Sequence, residues 1–116
     1  MIHIALHFIV PPLIALVFFH SRWRIATLIM IATMIVDADH LLADPIYDPT
    51  RCSIGFHPLH TIPAIVIYAL LFIIPLVARN KIEDQNWHAN TPVYILHLTG
   101  LGLLIHMALD WIDCLV

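Results

Sequence analysis

Four long apolar runs dominate the chain, at about Ile4–Phe19, Ile25–Leu42, Leu59–Ala78 and Val93–Leu115, with polar residues gathered between them. None alternates with the two-residue period of a strand, and each approaches the roughly 20 residues that cross a bilayer core as a helix. The pattern predicts an all-α fold, an integral membrane bundle of four transmembrane helices forming one domain over residues 1–116. The first run lacks the basic stretch and small-residue cleavage site of a signal peptide, so it is expected to persist as a span. Pro11 and Pro12 in the first run, and Pro63 and Pro75 in the third, are expected to bend their helices. Between the second and third runs, Asp44-Pro45, Asp48-Pro49 and Gly55 predict a turn-rich loop that covers the helix ends as a lid or rim.

Composition strengthens this picture. The 116 residues are 61% hydrophobic and only 11% charged, with a mean hydropathy of +0.92, more apolar surface than a soluble domain of this size can bury. The basic residues orient the bundle: Arg22, Arg24, Arg79 and Lys81 fall on one side and only Arg51 on the other. Short loops rich in Lys and Arg stay in the cytoplasm. Both termini and the loop from Ala43 to Phe56 are therefore expected to face the periplasm or exterior from a bacterial inner membrane. A net charge of -3 and few cations leave no electrostatic footprint for nucleic acid.

Against that topology the ionisable residues within the runs gather at the outer end. His3 and His7 open the first run, Asp37, Asp39 and His40 close the second, His57 and His60 open the third, and His106, Asp110 and Asp113 close the fourth. His3 and His7 are four apart, as are His106 and Asp110, so each pair shares a helix face; Thr99 and Gly102 extend the last stripe inward. Asp37 and His40 share a face at a spacing of three, whereas Asp39 points elsewhere unless the helix unwinds. Pro58 suits the first turn of a helix, which puts His57 at its cap and His60 one turn in. His97 lies roughly 13 Å deeper than His106 and near the opposite face, so it is excluded. His20 and His88 are excluded by topology.

Imidazole with carboxylate is the ligand set of zinc and related metals, and charged groups at membrane depth are costly enough to read as functional. One His in an apolar helix is more often a satisfied polar residue than a ligand. Four helix ends supplying such groups to one face make a metal cluster the better reading. Cys52 and Cys114 both fall on the oxidising side, where a disulfide would tie the loop to the fourth helix.

The order of an early His, Asp37-Ala38-Asp39-His40 at a span's end, a His-containing turn opening the next span and His106-x-x-x-Asp110 resembles the membrane-bound, YdjM-like metal-dependent hydrolases. Those are distantly similar to the zinc-dependent phospholipase C and P1 nuclease group. The resemblance covers most of the chain and carries over through His7, Asp37, Asp39, His40, His60 with Thr61, and His106 with Asp110. The third motif departs: His57-Pro58-Leu59-His60-Thr61 stands where the family has His-Arg-Gly, two further residues, then His and a hydroxyl residue. Arg51 in the same loop is the residue expected to substitute for the missing cation.

The resemblance implies two or three divalent ions, most simply zinc, held by His7, Asp37, Asp39, His40, His60, His106 and Asp110, and the clustering at the helix ends adds His3 and His57 to the expected ligands. The ions would activate water against a phosphoester, lipid or lipid-linked, at the outer interface, with no Ser-His-Asp arrangement required. Asp39 or Asp113 would act as base or orient the water, and Arg51 and Tyr47 would contact substrate. The alternatives are a non-catalytic metal-binding or metal-transport membrane protein, and a structural subunit pinned by its ligands. A continuous path of ligands favours transport, and an open coordination position favours the enzyme.

Overall fold

A computed structural model describes residues 2–79 and 91–116. Lys81 and His88 lie outside the described residues. The described residues form four α-helices and no strand: α1 (Ile2–Phe18), α2 (Trp23–Ala32), α3 (Ile62–Arg79) and α4 (Thr91–Leu115). Two helical stretches, His20–Leu42 and Pro92–Leu115, are long and apolar enough to cross a membrane, and the apolar helices Ile2–Phe18 and Ile62–Ala78 are shorter.

Helix α2 does not run to the end of its apolar run as an α-helix. It tightens at Thr33 into a 3₁₀ helix that continues to Leu42, far beyond the three or four residues such helices normally last. A three-residue period sorts the side chains into three rows. Thr33, Val36 and Asp39 are buried; Met34, Asp37 and His40 are half-buried; Ile35, Ala38 and Leu41 are exposed. Asp39 faces the interior through this tightening, which resolves the conflict that a regular α-helix poses for Asp37, Asp39 and His40.

Helix α3 begins at Ile62, three residues later than the hydrophobic run predicts. His57 instead caps a separate 3₁₀ turn, Pro58–His60, with Pro58 at its first position. Pro63 consequently falls in the first turn of α3, where a missing N–H costs nothing, and not in its interior. Pro75 and the Pro11-Pro12 pair are inside their helices, as expected.

The packing has two centres. Ala15, Ala26, Met30, Tyr94 and Leu98 join α1, α2 and α4. Val36, Tyr68, Leu103 and Met107 join the 3₁₀ segment to α3 and α4. Two glycines of α4 set its close approaches. A Cβ on Gly100 would lie 2.5 Å from the backbone N of Phe72, and one on Gly102 would lie 2.9 Å from Met30 Cα and 2.8 Å from Thr33 Oγ1. Gly102 thus seats α4 against the point where α2 tightens, one turn before His106.

Candidate metal centre

The α1 start, the 3₁₀ segment, the 57–60 turn and the α4 end converge, and their side chains fall into three groups of candidate ligands. Asp37, His60, His106 and Asp110 form the first, His3, His7 and Asp110 the second, and Asp39, His40 and His57 the third; within each, the donor atoms lie within 4.8 Å of one another. Asp110 belongs to two groups. His7, Asp39, His57, His60, His106 and Asp110 are buried.

The first group has the dimensions of a metal site. His106 Nε2 is 3.0 Å from Asp37 Oδ1 and 3.4 Å from Asp110 Oδ2, and His60 Nε2 is 3.4 Å and 3.1 Å from the same two oxygens. Four donors placed tetrahedrally about zinc stand about 3.3 Å apart. In the second group His3 Nε2 and His7 Nε2 approach Asp110 Oδ1 at 3.0 and 3.3 Å.

Hydrogen bonding sets the imidazole tautomers, because a carboxylate or carbonyl only accepts. His7 Nδ1–H donates to the His3 carbonyl at 3.0 Å, and His60 Nδ1–H donates to Asp39 Oδ2 at 3.1 Å. When either ring is neutral, its Nε2 lone pair faces carboxylate oxygen. His7 Nε2, His60 Nε2 and Asp110 Oδ2 are buried without a hydrogen-bond partner among the described residues. Lone pair against lone pair in a buried site needs positive charge between them, which either a proton or a divalent cation supplies.

Asp39 is the orienting carboxylate. Its Oδ2 also accepts from Leu59 N–H at 2.8 Å, and its Oδ1 accepts from His40 Nδ1–H at 3.0 Å. Both oxygens are thus committed to holding the 57–60 turn and two imidazoles, the arrangement of a carboxylate supporting ligating histidines. Tyr68 O–H fixes the same turn from α3 by donating to the Leu59 carbonyl at 2.9 Å.

The remaining predicted residues form the mouth. A cavity of about 290 Å³ is lined by His3, His7, Asp37, His40, His57, Asp110 and Asp113 and by Tyr47, Arg51 and Ser53 of the loop. Arg51 donates to the Pro45 carbonyl at 2.8 Å and places its guanidinium 4.5 Å from the Phe56 ring centre. Tyr47 and Asp113 are exposed, and Asp113 Oδ1 is 3.7 Å from His3 Nδ1. Thr50 donates its hydroxyl and N–H to Asp48, holding that carboxyl below its ordinary value. Burial and the adjacent His40 hold the His57 imidazole below its ordinary value. Cys52 and Cys114 are joined in a disulfide that ties this loop to the end of α4.

Thr99 and Thr61 of the predicted set are elsewhere, and His97 and His20 stand apart from the cluster as expected. Thr99 donates to its own helix at Ile95 and lines an apolar groove between α2, α3 and α4, so the α4 stripe facing the site stops at Gly102. Thr61 donates to the Pro58 carbonyl, closing the turn. His97 is packed against Phe72, with Nδ1–H donating to the Phe72 carbonyl, and His20 is exposed in the turn before α2.

Ser53 is the site residue that the sequence pattern does not reveal. Its hydroxyl is 3.1 Å from His40 Nε2. A serine in a loop carries no periodicity, and only its place beside Cys52 hints that it is held.

No curated protein and no solved structure matches the chain. Residues 1–82 match a family profile that spans His3 to His60 and stops short of His106 and Asp110. By that match the chain belongs to DUF6122, a family of unknown function.

Proposed function

We propose that this protein is a membrane-embedded, metal-dependent hydrolase that cleaves a phosphoester, lipid or lipid-linked, at the outer face of a bacterial inner membrane. The observation that carries the reading is the pairing of a four-ligand group with a three-ligand group that share Asp110, with Asp37, His3, His7 and Asp110 lining one cavity. Three protein ligands leave a coordination position for water or substrate, the signature of catalytic and not structural zinc. Large apolar side chains exposed along the helices, among them Phe8, Val17, Leu28, Val66, Ile74 and Leu96, support immersion of all four helices in lipid. The basic residues of the α1–α2 turn support an outward-facing site.

On this reading His60, His106, Asp37 and Asp110 hold one zinc ion, and His3, His7 and Asp110 hold another. Such ions lower the pKa of water towards neutrality and stabilise charge developing on a phosphoryl oxygen. Asp39 keeps the His60 ring in its ligating tautomer. Arg51 at the mouth binds the phosphoryl group, Tyr47 borders it, and Asp113, exposed beside His3, accepts a proton at its carboxylate. The metal-transport reading is weaker. Beyond His106 the next imidazole on α4 is His97, which is engaged with Phe72, so among the described residues no ligand path continues along the helix.

Elemental analysis of the purified protein tests the proposal. About two zinc equivalents per chain are expected in the wild type, with loss in Asp37→Ala and His106→Ala. Fewer than one equivalent in the wild type, or full occupancy in both variants, overturns it. Chelator-sensitive release of phosphate or alcohol from phosphomonoesters, phosphodiesters and phospholipids then tests the hydrolytic step.

A further inference from the structure

We propose that Ser53 is a nucleophile activated by His40 and Asp39, and that turnover passes through a covalent phosphoseryl enzyme. The substrate class is that of the proposed function, but the nucleophile itself stands on hydrogen bonds of the chain alone.

The three residues stand in the order of a catalytic relay. Asp39 Oδ1 lies 3.0 Å from His40 Nδ1, and His40 Nε2 lies 3.1 Å from Ser53 Oγ. Because the carboxylate only accepts, the ring proton belongs on Nδ1. The Nε2 lone pair is therefore turned to the Ser53 hydroxyl, which donates to it. Both ring nitrogens of His40 are engaged in this way, so His40 is better used here than as a metal ligand. The arrangement is recognised by geometry and role and not by chain order.

The surroundings hold the relay in place. The His57 ring stacks on the His40 ring with centroids 3.7 Å apart, fixing its plane. The Ser53 carbonyl accepts from the N–H groups of Phe56 and His57 at 3.2 and 3.3 Å. Its neighbour Cys52 is bonded to Cys114 on α4. Asp39 is buried and clamped by Leu59 N–H and His60 as well. Ser53 nevertheless lines the 290 Å³ cavity, together with Arg51, Asp37 and Asp110. A nucleophile on a rigid backbone, open to a cavity with an anion-binding cation, meets the positional demands of attack.

The step balances without an added reactant. Oγ bonds to phosphorus while its proton passes to His40 Nε2. The phosphorus–oxygen bond to the leaving alcohol breaks, and Nε2 returns the proton to that oxygen. Water then attacks the phosphoseryl group, giving a proton to Nε2; the bond from phosphorus to Oγ breaks, and Oγ takes the proton back.

An alkyl fluorophosphonate probe tests this on the full chain in detergent, with and without chelator. Oγ displaces fluoride, so a stable mass adduct on the peptide containing Ser53 is expected, absent in Ser53→Ala and formed about a hundredfold more slowly in His40→Ala. Circular dichroism and the thermal midpoint check the fold, and His40→Gln replaces the alanine variant if that one unfolds. No adduct on Ser53 in folded wild type, an adduct elsewhere only, or labelling unaffected at His40 overturns the proposal. Zinc content measured on the same samples separates the two readings: zinc without adduct leaves the metal centre and removes the nucleophile, and adduct without zinc does the reverse.

Discussion

At the scale of single residues, Asp39 organises more of the site than any candidate ligand, because its two oxygens accept from His40, His60 and Leu59. Asp39→Asn keeps the shape but exchanges an acceptor for a donor, freeing the His60 ring to turn. The expected outcome is a 10- to 100-fold loss of zinc affinity with little change in helicity, measured by competition with a chromophoric chelator. His57 carries a pH prediction. Its pKa in the fold is held below the ordinary 6.5 by burial and by His40, so as pH falls below about 6.5 the unfolded chain takes up the proton first. This residue therefore destabilises the fold increasingly on acidification until its lowered folded pKa is passed. His57→Phe retains the stacking and removes the titration. In chelator-treated protein, its melting temperature is expected to fall less than that of wild type between pH 7 and 5. Equal slopes would show that His57 does not contribute.

At the scale of elements, α2 and α4 decide where the candidate ligands meet. Gly100 and Gly102 separate stability from function. A methyl group on Gly100 meets the backbone of α3 at Leu71 and Phe72, and such overpacking costs about 1–3 kcal/mol. Gly100→Ala is expected to lower the thermal midpoint in detergent while zinc content stays near wild type. Gly102→Ala meets Met30 and Thr33 at the α-to-3₁₀ junction, displacing His106 from Asp37, so zinc loss should exceed the loss of stability. The elements were legible in outline: hydrophobic runs located all four helices, and helical spacing correctly paired His3 with His7 and His106 with Asp110. The period-three rows from Thr33 to Leu41 were not, because the apolar content of that stretch satisfies an α-helix equally well. The same ambiguity hid the start of α3, where Leu59 reads as helix yet belongs to the turn that Asp39 and Tyr68 hold. Ser53 was hidden because its importance lies wholly in a partner 13 residues away.

At the scale of the whole molecule, one covalent link and one shared carboxylate unite distant parts of the chain. The Cys52–Cys114 bond closes a stretch of 62 residues, for which chain-entropy arguments give stabilisation of about 4 kcal/mol. Reduction is expected to lower the thermal midpoint and to open the mouth, seen as faster proteolysis between residues 43 and 57 while α3 and α4 stay protected. Unchanged proteolysis on reduction would argue that the loop is held by its own hydrogen bonds. Asp110, drawn on by both the four-ligand and the three-ligand groups, has a different consequence. Two sites that share a carboxylate are thermodynamically linked: an ion at either one prepays the ordering of Asp110 for the other while also adding positive charge beside it. Their binding constants cannot then be independent. Zinc titration of the stripped protein should depart from two equal, separate sites, and the sign of that departure reports whether shared ordering or mutual repulsion is the larger.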